Sequence, residues 1–332
     1  SELLERRQSE QPKSLTTHTA VHFFVQQRGG GPTKLRKMPR TVVIVTGASR
    51  GLGRAIALSF VKEEKTFQKF SPLRILLLAR SEEGLVGTKS LMQQEADKFL
   101  DTTANDNDAT SDLLDMTHHV IDLSDLDNLD DNLNDILDFS SSSKNNLPPF
   151  EKAILINNAG SLGHLGPCMN MTSLKELQTS LDFNITSSLW VSTRFVRSFS
   201  QQQQQQQQTK TVVVNISSLC AIEPFKTMGV YCTGKAARDM FHTVLAKETT
   251  TTEEEEGNNI KVLNYAPGAL ETDMAEELIN CNVLDKDLHN FYVTSKRDKT
   301  AIMPQDTADL LLTVLMNDDF ESGSHIDYWD LK

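Results

Sequence analysis

The chain is predicted to fold as an α/β domain, doubly wound around a seven-stranded parallel sheet of the Rossmann type. Three observations carry this. From Thr41 onward, apolar β-branched runs alternate with helix-forming segments. Several of these runs are continuously apolar, as expected for strands buried on both faces. The first of them leads directly into a glycine-rich turn that opens a helix.

In chain order, strands are expected at 41–46 (TVVIVT), 74–79 (RILLLA), 118–121, 152–156, 211–216 (TVVVNI), 260–264 and 325–328. Helices are expected at 52–62, 81–100, 123–137, 174–199, 230–247 and 307–316. Residues 41–330 therefore read as one domain. Residues 1–40, polar and broken by Gly29-Gly30-Gly31-Pro32, read as a disordered extension in which Met38 is a candidate internal start. Lys and Arg in this extension would suit a transit peptide, but Glu2, Glu5 and Glu10 argue against one. Four polar stretches, near 101–116, 139–147, 201–209 (a polyglutamine run) and 249–258 (threonines then glutamates), read as surface insertions without chemistry.

The net charge of −12 makes nucleic acid a poor partner. No apolar run is long enough to span a bilayer, and the first residues lack a secretory signal pattern. The four cysteines, Cys168, Cys220, Cys232 and Cys281, form no C-x-x-C pair, so neither a metal site nor a disulfide framework is expected. A cytoplasmic protein with reduced thiols is the expectation.

The first turn reads Gly47-Ala48-Ser49-Arg50-Gly51-Leu52-Gly53. Gly47 suits a tight turn, Gly51 a close approach of backbone to a pyrophosphate, and Gly53 close helix–strand packing. The free N–H groups of the helix that follows would face the phosphates. The second strand ends in Arg80-Ser81, with no acid to receive a ribose 2′-hydroxyl. Arg80, helped by Arg50, could instead pair with a 2′-phosphate, which predicts NADPH over NADH. Asp122 and Leu123 follow the third strand and could flank an adenine. Asn158, Ala159 and Gly160 follow the fourth, where small residues let backbone lie against the nicotinamide ribose.

Tyr231 and Lys235 stand at i,i+4 and share a helical face. A neighbouring ammonium is expected to lower the phenol pKa, so that Tyr231 can exchange a proton with a carbonyl oxygen. Lys235 could also hold ribose hydroxyls. Ser218, at the end of the fifth strand, could donate to the same oxygen. Asn184, within the long helix, completes the set as a water-mediated relay to Lys235.

The glycine turn, Asn157-Asn158-Ala159-Gly160, Ser218, Tyr231 and Lys235 together resemble the short-chain dehydrogenase/reductase family. More narrowly, NNAGSLG at 157–163, NISSLCA at 215–221, Pro224-Phe225-Lys226, YCTGKAARDM at 231–240, LNYAPG at 263–268 and SGSHID at 322–327 are similar to the sepiapterin reductase family. That resemblance implies NADPH-dependent reduction of pterin side-chain ketones: sepiapterin to dihydrobiopterin, and 6-pyruvoyl-tetrahydropterin to tetrahydrobiopterin. It implies a homodimer and a pterin anchored by Asp327, whose carboxylate can accept two adjacent N–H donors. It also implies a pocket formed by Ser218, Leu219, Tyr231 and Gly268, and a cofactor loop made of Leu270, Glu271, Thr272, Asp273, Met274 and Ala275. Thr227-Met228 departs from the family pattern beside that pocket. Two alternatives stay open: a broader NADPH-dependent carbonyl reductase of other ketones or diones, and a non-catalytic NADPH-binding scaffold or sensor.

Overall fold

The computed structural model describes residues 41–100, 113–138, 150–200, 209–249 and 259–332. The extension at 1–40, the polyglutamine run and most of the other insertions lie outside these residues.

Seven parallel strands form one sheet: β1 (Thr41–Thr46), β2 (Leu73–Ala79), β3 (Leu114–Val120), β4 (Lys152–Asn157), β5 (Lys210–Ile216), β6 (Ile260–Ala266) and β7 (His325–Asp327), in the order β3-β2-β1-β4-β5-β6-β7. The chain winds one way from β1 to β3, then crosses back to β4. The reversal lies between β1 and β4, and in such sheets the carboxyl ends of the strands at this point form a ligand crevice.

The pleat of β1 explains why its run is apolar throughout. Val43 and Val45 enter one core layer, Val42 and Ile44 the other, and all four are buried. The first layer packs helices α1 (Gly51–Ser59), α2 (Glu64–Phe70), α3 (Glu82–Ala96) and α10 (Pro304–Asn317) against the sheet. The second packs α4 (Leu126–Leu137), α6 (Ser187–Ser200) and part of α7 (Gly229–Thr249).

The predicted sheet is present, with three corrections to its elements. β3 begins at Leu114, not at 118, so the first insertion ends before the strand. As an edge strand with only β2 beside it, β3 carries polar Asp115, Thr117 and His118 and lacks a continuous apolar run. The helix expected at 174–199 is divided: α5 (Leu174–Leu181) and α6 flank a π-helical segment, Asp182–Thr186. Three helices were not legible in the sequence: α2, α8 (Asp273–Ile279) and α9 (Lys286–Asp298). α2 and α8 have seven residues each, and α9, with 13, buries only Leu288, Phe291 and Ser295. Together, α8 and α9 roof the crevice beyond β5 and β6.

Candidate active site

A cleft of about 950 Å³ runs along the carboxyl ends of the central strands. Its near end is the turn between β1 and α1. Gly47 and Gly51 have φ of +68° and +54°, a conformation that side chains resist. A Cβ on Gly51 would meet nothing nearer than Thr272 Cγ2 at 3.8 Å, so the backbone borders open space. Gly53 differs, because a Cβ there would stand 2.3 Å from the Gly47 carbonyl oxygen. Its glycine is a packing requirement of the turn against the helix.

The start of α1 has neither a side-chain cap nor an acid in its first turn, whereas α3 is capped by Ser81. Uncapped N–H groups beside glycine backbone form a cradle for an anion, and this fits the pyrophosphate of a dinucleotide. Ser49, Arg50, Leu52, Arg80, Ser81, Leu123, Asn158, Ala159 and Gly160 line the same cleft, as do Leu270, Thr272, Asp273, Met274 and Ala275. Four of the predicted cofactor residues do not. Ala48 is buried beneath the turn, and its carbonyl accepts from Thr88 Oγ1. Gly53 packs as described. Asp122 turns its carboxylate onto the Ser124 N–H and hydroxyl. Glu271 is tied by its N–H to the Ile302 carbonyl and faces away.

Arg50 forms an exposed ion pair with Asp273 across the cleft mouth. Arg80 lies over the Phe183 ring, 5.8 Å from its centroid. Arg54, which the sequence did not single out, also lines the cleft and braces the turn through the Ser49 carbonyl and Thr88.

At the far end, Ser218, Tyr231 and Lys235 converge. Ser218 stands two residues beyond β5 and caps the short 3₁₀ turn Leu219–Ala221, its Oγ accepting from Cys220 N at 3.2 Å. That leaves its O–H proton to be donated elsewhere. Lys235 is buried and donates to the Ile216 carbonyl at 2.7 Å, with Nζ 5.6 Å from the centre of the Tyr231 ring. Burial first, and Arg238 second, depress Lys235 from 10.5 to about 7.

The expected lowering of the Tyr231 pKa is not what the geometry produces. Burial pushes the phenol up, Cys220 and Tyr292 add to that, and only Ser218 and Arg238 oppose it. In a desolvated pocket the phenolate loses its hydration, and Lys235 is held on a backbone carbonyl.

Asn184 sits in the π segment, a distortion that recurs at functional positions. Its amide is engaged with Ser161, accepting from N at 2.8 Å and donating to Oγ at 3.2 Å, and makes no direct bond to Lys235.

Leu219 and Asp327 lie in a small adjoining cavity that shares Ser218, Cys220, Met228, Gly268, Ala269 and Tyr292 with the main cleft. Asp327 is 3% exposed, and its Oδ1 accepts from Trp329 N at 3.0 Å. The family's expected anchor therefore stands behind the reacting end, not within the main cleft.

A buried polar network beneath the site was missed. Arg238 is fully buried and donates to the Asn157 and Ala159 carbonyls and to Asn215 Oδ1. Asp239 bonds Asn215 Nδ2 and His325 Nδ1, tying α7 to β5 and β7. The signal was present: an Arg and an Asp one turn beyond Lys235, in a helix otherwise able to bury that face.

Known proteins share the fold and much of the sequence of this chain. A family model described as short chain dehydrogenase matches residues 134–281. The chain is 32% identical over 304 residues to sepiapterin reductase of Bos taurus, covering 91% of this chain and 99% of that one. Against sepiapterin reductase of Rattus norvegicus it is 33% identical over 293 residues, covering 87% and 97%. It is 25% identical over 284 residues to a benzil reductase ((S)-benzoin forming) of Bacillus cereus, covering 86% and 97%. Among solved structures, the KRED1-Pglu enzyme superposes with a TM-score of 0.64 at 17% identity, covering 86% of this chain and all of the other. L-sorbose reductase from Gluconobacter frateurii, complexed with NADPH and L-sorbose, gives 0.61 at 20% identity, covering 87% and 95%. The superpositions establish the shared fold.

Proposed function

Because the chain belongs to the sepiapterin reductase family of short-chain dehydrogenases, we propose that it reduces a pterin side-chain ketone with NADPH, as in tetrahydrobiopterin biosynthesis. The observation that carries this reading is the convergence of Ser218, Tyr231 and Lys235 at one end of a cleft whose other end is the glycine turn.

When bound, the cofactor supplies a hydride to the carbonyl carbon. The glycine turn and the α1 N-terminus would hold its pyrophosphate, Lys235 its ribose hydroxyls, and Arg80 with Arg50 the 2′-phosphate. Ser218 donates a hydrogen bond to the substrate oxygen as negative charge gathers there. Tyr231 gives that oxygen its proton. The elevated phenol pKa keeps Tyr231 protonated at neutral pH, which suits the reducing direction. Arg238 positions the Asn157–Gly160 backbone against the cofactor by holding two of its carbonyls. Asp327 anchors the pterin ring from the adjoining cavity.

A second reading, a broader reductase of diketones, draws on the similarity to benzil reductases. Sepiapterin-dependent oxidation of NADPH by the purified protein tests the first reading. Turnover of benzil without sepiapterin would favour the second.

Trp190, Met240 and Val244 leave apolar surface exposed on α6 and α7, which suits pairing of two copies through these helices. Light scattering checks the resulting dimer. No helix among the described residues is long and apolar enough to cross a membrane. The four cysteines are free, as in a reducing compartment such as the cytoplasm.

A further inference from the structure

Thr227 has φ of +67°, a left-handed conformation that a β-branched side chain resists. Lys299 and Asp318, the other non-glycine residues with positive φ among those described, close the C-termini of α9 and α10, where that conformation is ordinary. Thr227 closes no helix. It lies two residues before α7, where the sequence departs from the family pattern. Glycine would take the same backbone shape without strain. What threonine adds there is a hydroxyl.

Three segments meet at this residue. Its carbonyl accepts from Gly166 N at 2.8 Å, in the loop that follows β4. Its Oγ1 accepts from Asp285 N at 2.9 Å and donates to the Lys226 carbonyl. Asp285 in turn caps α9, its Oδ1 accepting from the N–H groups of Asp287 and Leu288. Lys226 Nζ stands 3.9 Å from the same carboxylate, but its side chain is 83% exposed, so that ion pair adds little. On one side of the contact, Met228 is buried and lines both the main cleft and the adjoining cavity, and its carbonyl accepts from Cys232 N in the first turn of α7. On the other side, α9 presents Leu288 to the adjoining cavity and Tyr292 to both.

We infer that Thr227 is a positioning residue: its hydroxyl pins the start of α9 to the wall beside Met228 and so fixes the roof over the substrate end of the cleft. Without the hydroxyl, the Asp285 N–H loses its acceptor and the first turn of α9 opens more often. Each opening carries Leu288 and Tyr292 away from the pocket. Substrate then binds more weakly, while Ser218, Tyr231 and Lys235 keep their places on β5 and α7, so KM rises and kcat holds. The glycine turn lies at the opposite end of the cleft and does not depend on the pin. The effect on turnover rests on the reductase reading above; the pin itself is measurable without substrate.

Three variants separate the hydroxyl from the strain. Thr227→Ser keeps the hydroxyl, Thr227→Val keeps the branched shape without it, and Thr227→Gly removes both. Amide hydrogen exchange at 285–288 is followed in the full chain with NADPH, and kcat and KM are measured with NADPH and sepiapterin. The valine and glycine variants are expected to exchange about tenfold faster at Asp285 and to raise KM about fivefold, with kcat and the NADPH Kd within about twofold of wild type. Thr227→Ser should match wild type in exchange and in KM. Thr227→Gly should still melt above Thr227→Val, because its backbone is unstrained. Wild-type exchange in the valine and glycine variants, or a serine variant that behaves like valine, overturns the proposal. So does a KM that is unchanged in all three or that follows their melting temperatures. If wild-type protein does not reduce sepiapterin, the pterin reading falls, and the exchange rates alone then decide whether Thr227 pins α9.

Discussion

The two ends of the cleft are built in different ways. The cofactor end is mostly backbone: a glycine turn, an uncapped helix start and the Asn158–Gly160 segment, all within a few residues of β1 and β4. The substrate end is mostly side chains, drawn from β5, α7, α8, α9 and the segment after β7. Backbone dipoles carry no proton to gain or lose, so the first end should be insensitive to pH and intolerant of added atoms. The second depends on buried ionisable groups and should respond to pH and to single polar substitutions.

The largest expected effect belongs to the substrate end. Tyr231→Phe should lower kcat by about 10²- to 10⁴-fold while NADPH still binds, as fluorescence titration of the cofactor would show. The cofactor end should answer instead in stability. Gly53→Ala forces a Cβ onto a backbone oxygen 2.3 Å away and should cost roughly 3 kcal/mol. Gly51→Ala meets open space and bears only the left-handed backbone cost, about 1 kcal/mol. Thermal melts of the two variants rank them. If both cost the same, the turn is not packed as described.

Asp327→Asn should raise KM for sepiapterin about tenfold and leave benzil unaffected, because only the pterin offers paired N–H donors to the carboxylate. Arg80→Gln, on an exposed side chain, should reduce the preference for NADPH over NADH by only about fivefold, and less at high salt.

A further effect is a slope with pH. The folded chain holds Lys235 near pKa 7, against 10.5 when unfolded. Below pH 7 both forms carry the proton, and the buried ammonium weakens the fold. Between 7 and 10.5 only the unfolded chain stays protonated, so this residue makes the cofactor-free fold more stable as pH rises through that window. Lys235→Met should flatten the rise in Tm between pH 7 and pH 9.

The same contrast explains what could be read from the residues alone. The glycine turn, Ser218, Tyr231 and Lys235 are local signals: each is a short motif next to a buried strand, and each falls in the cleft. The strands of the sheet centre announce themselves because both faces are buried. The edge strand β3 is polar on its outer residues, and its start was hidden by the inserted stretch before it. Arg238 acts through contacts made by distant elements: the charged pair one turn beyond Lys235 marks α7 as unusual, but not which carbonyls the guanidinium will hold. The shift at Tyr231 was misjudged for a related reason. The i,i+4 spacing places the lysine on the same face of the helix, but burial outweighs that neighbour.

The most direct test is oxidation of NADPH in the presence of sepiapterin by wild-type protein and by Tyr231→Phe. Sepiapterin-dependent oxidation with formation of dihydrobiopterin, lost in a Tyr231→Phe protein that still binds NADPH, is the predicted result. No oxidation by the wild type, or near-normal turnover by the variant, would contradict a protonated phenol as the donor to a pterin ketone.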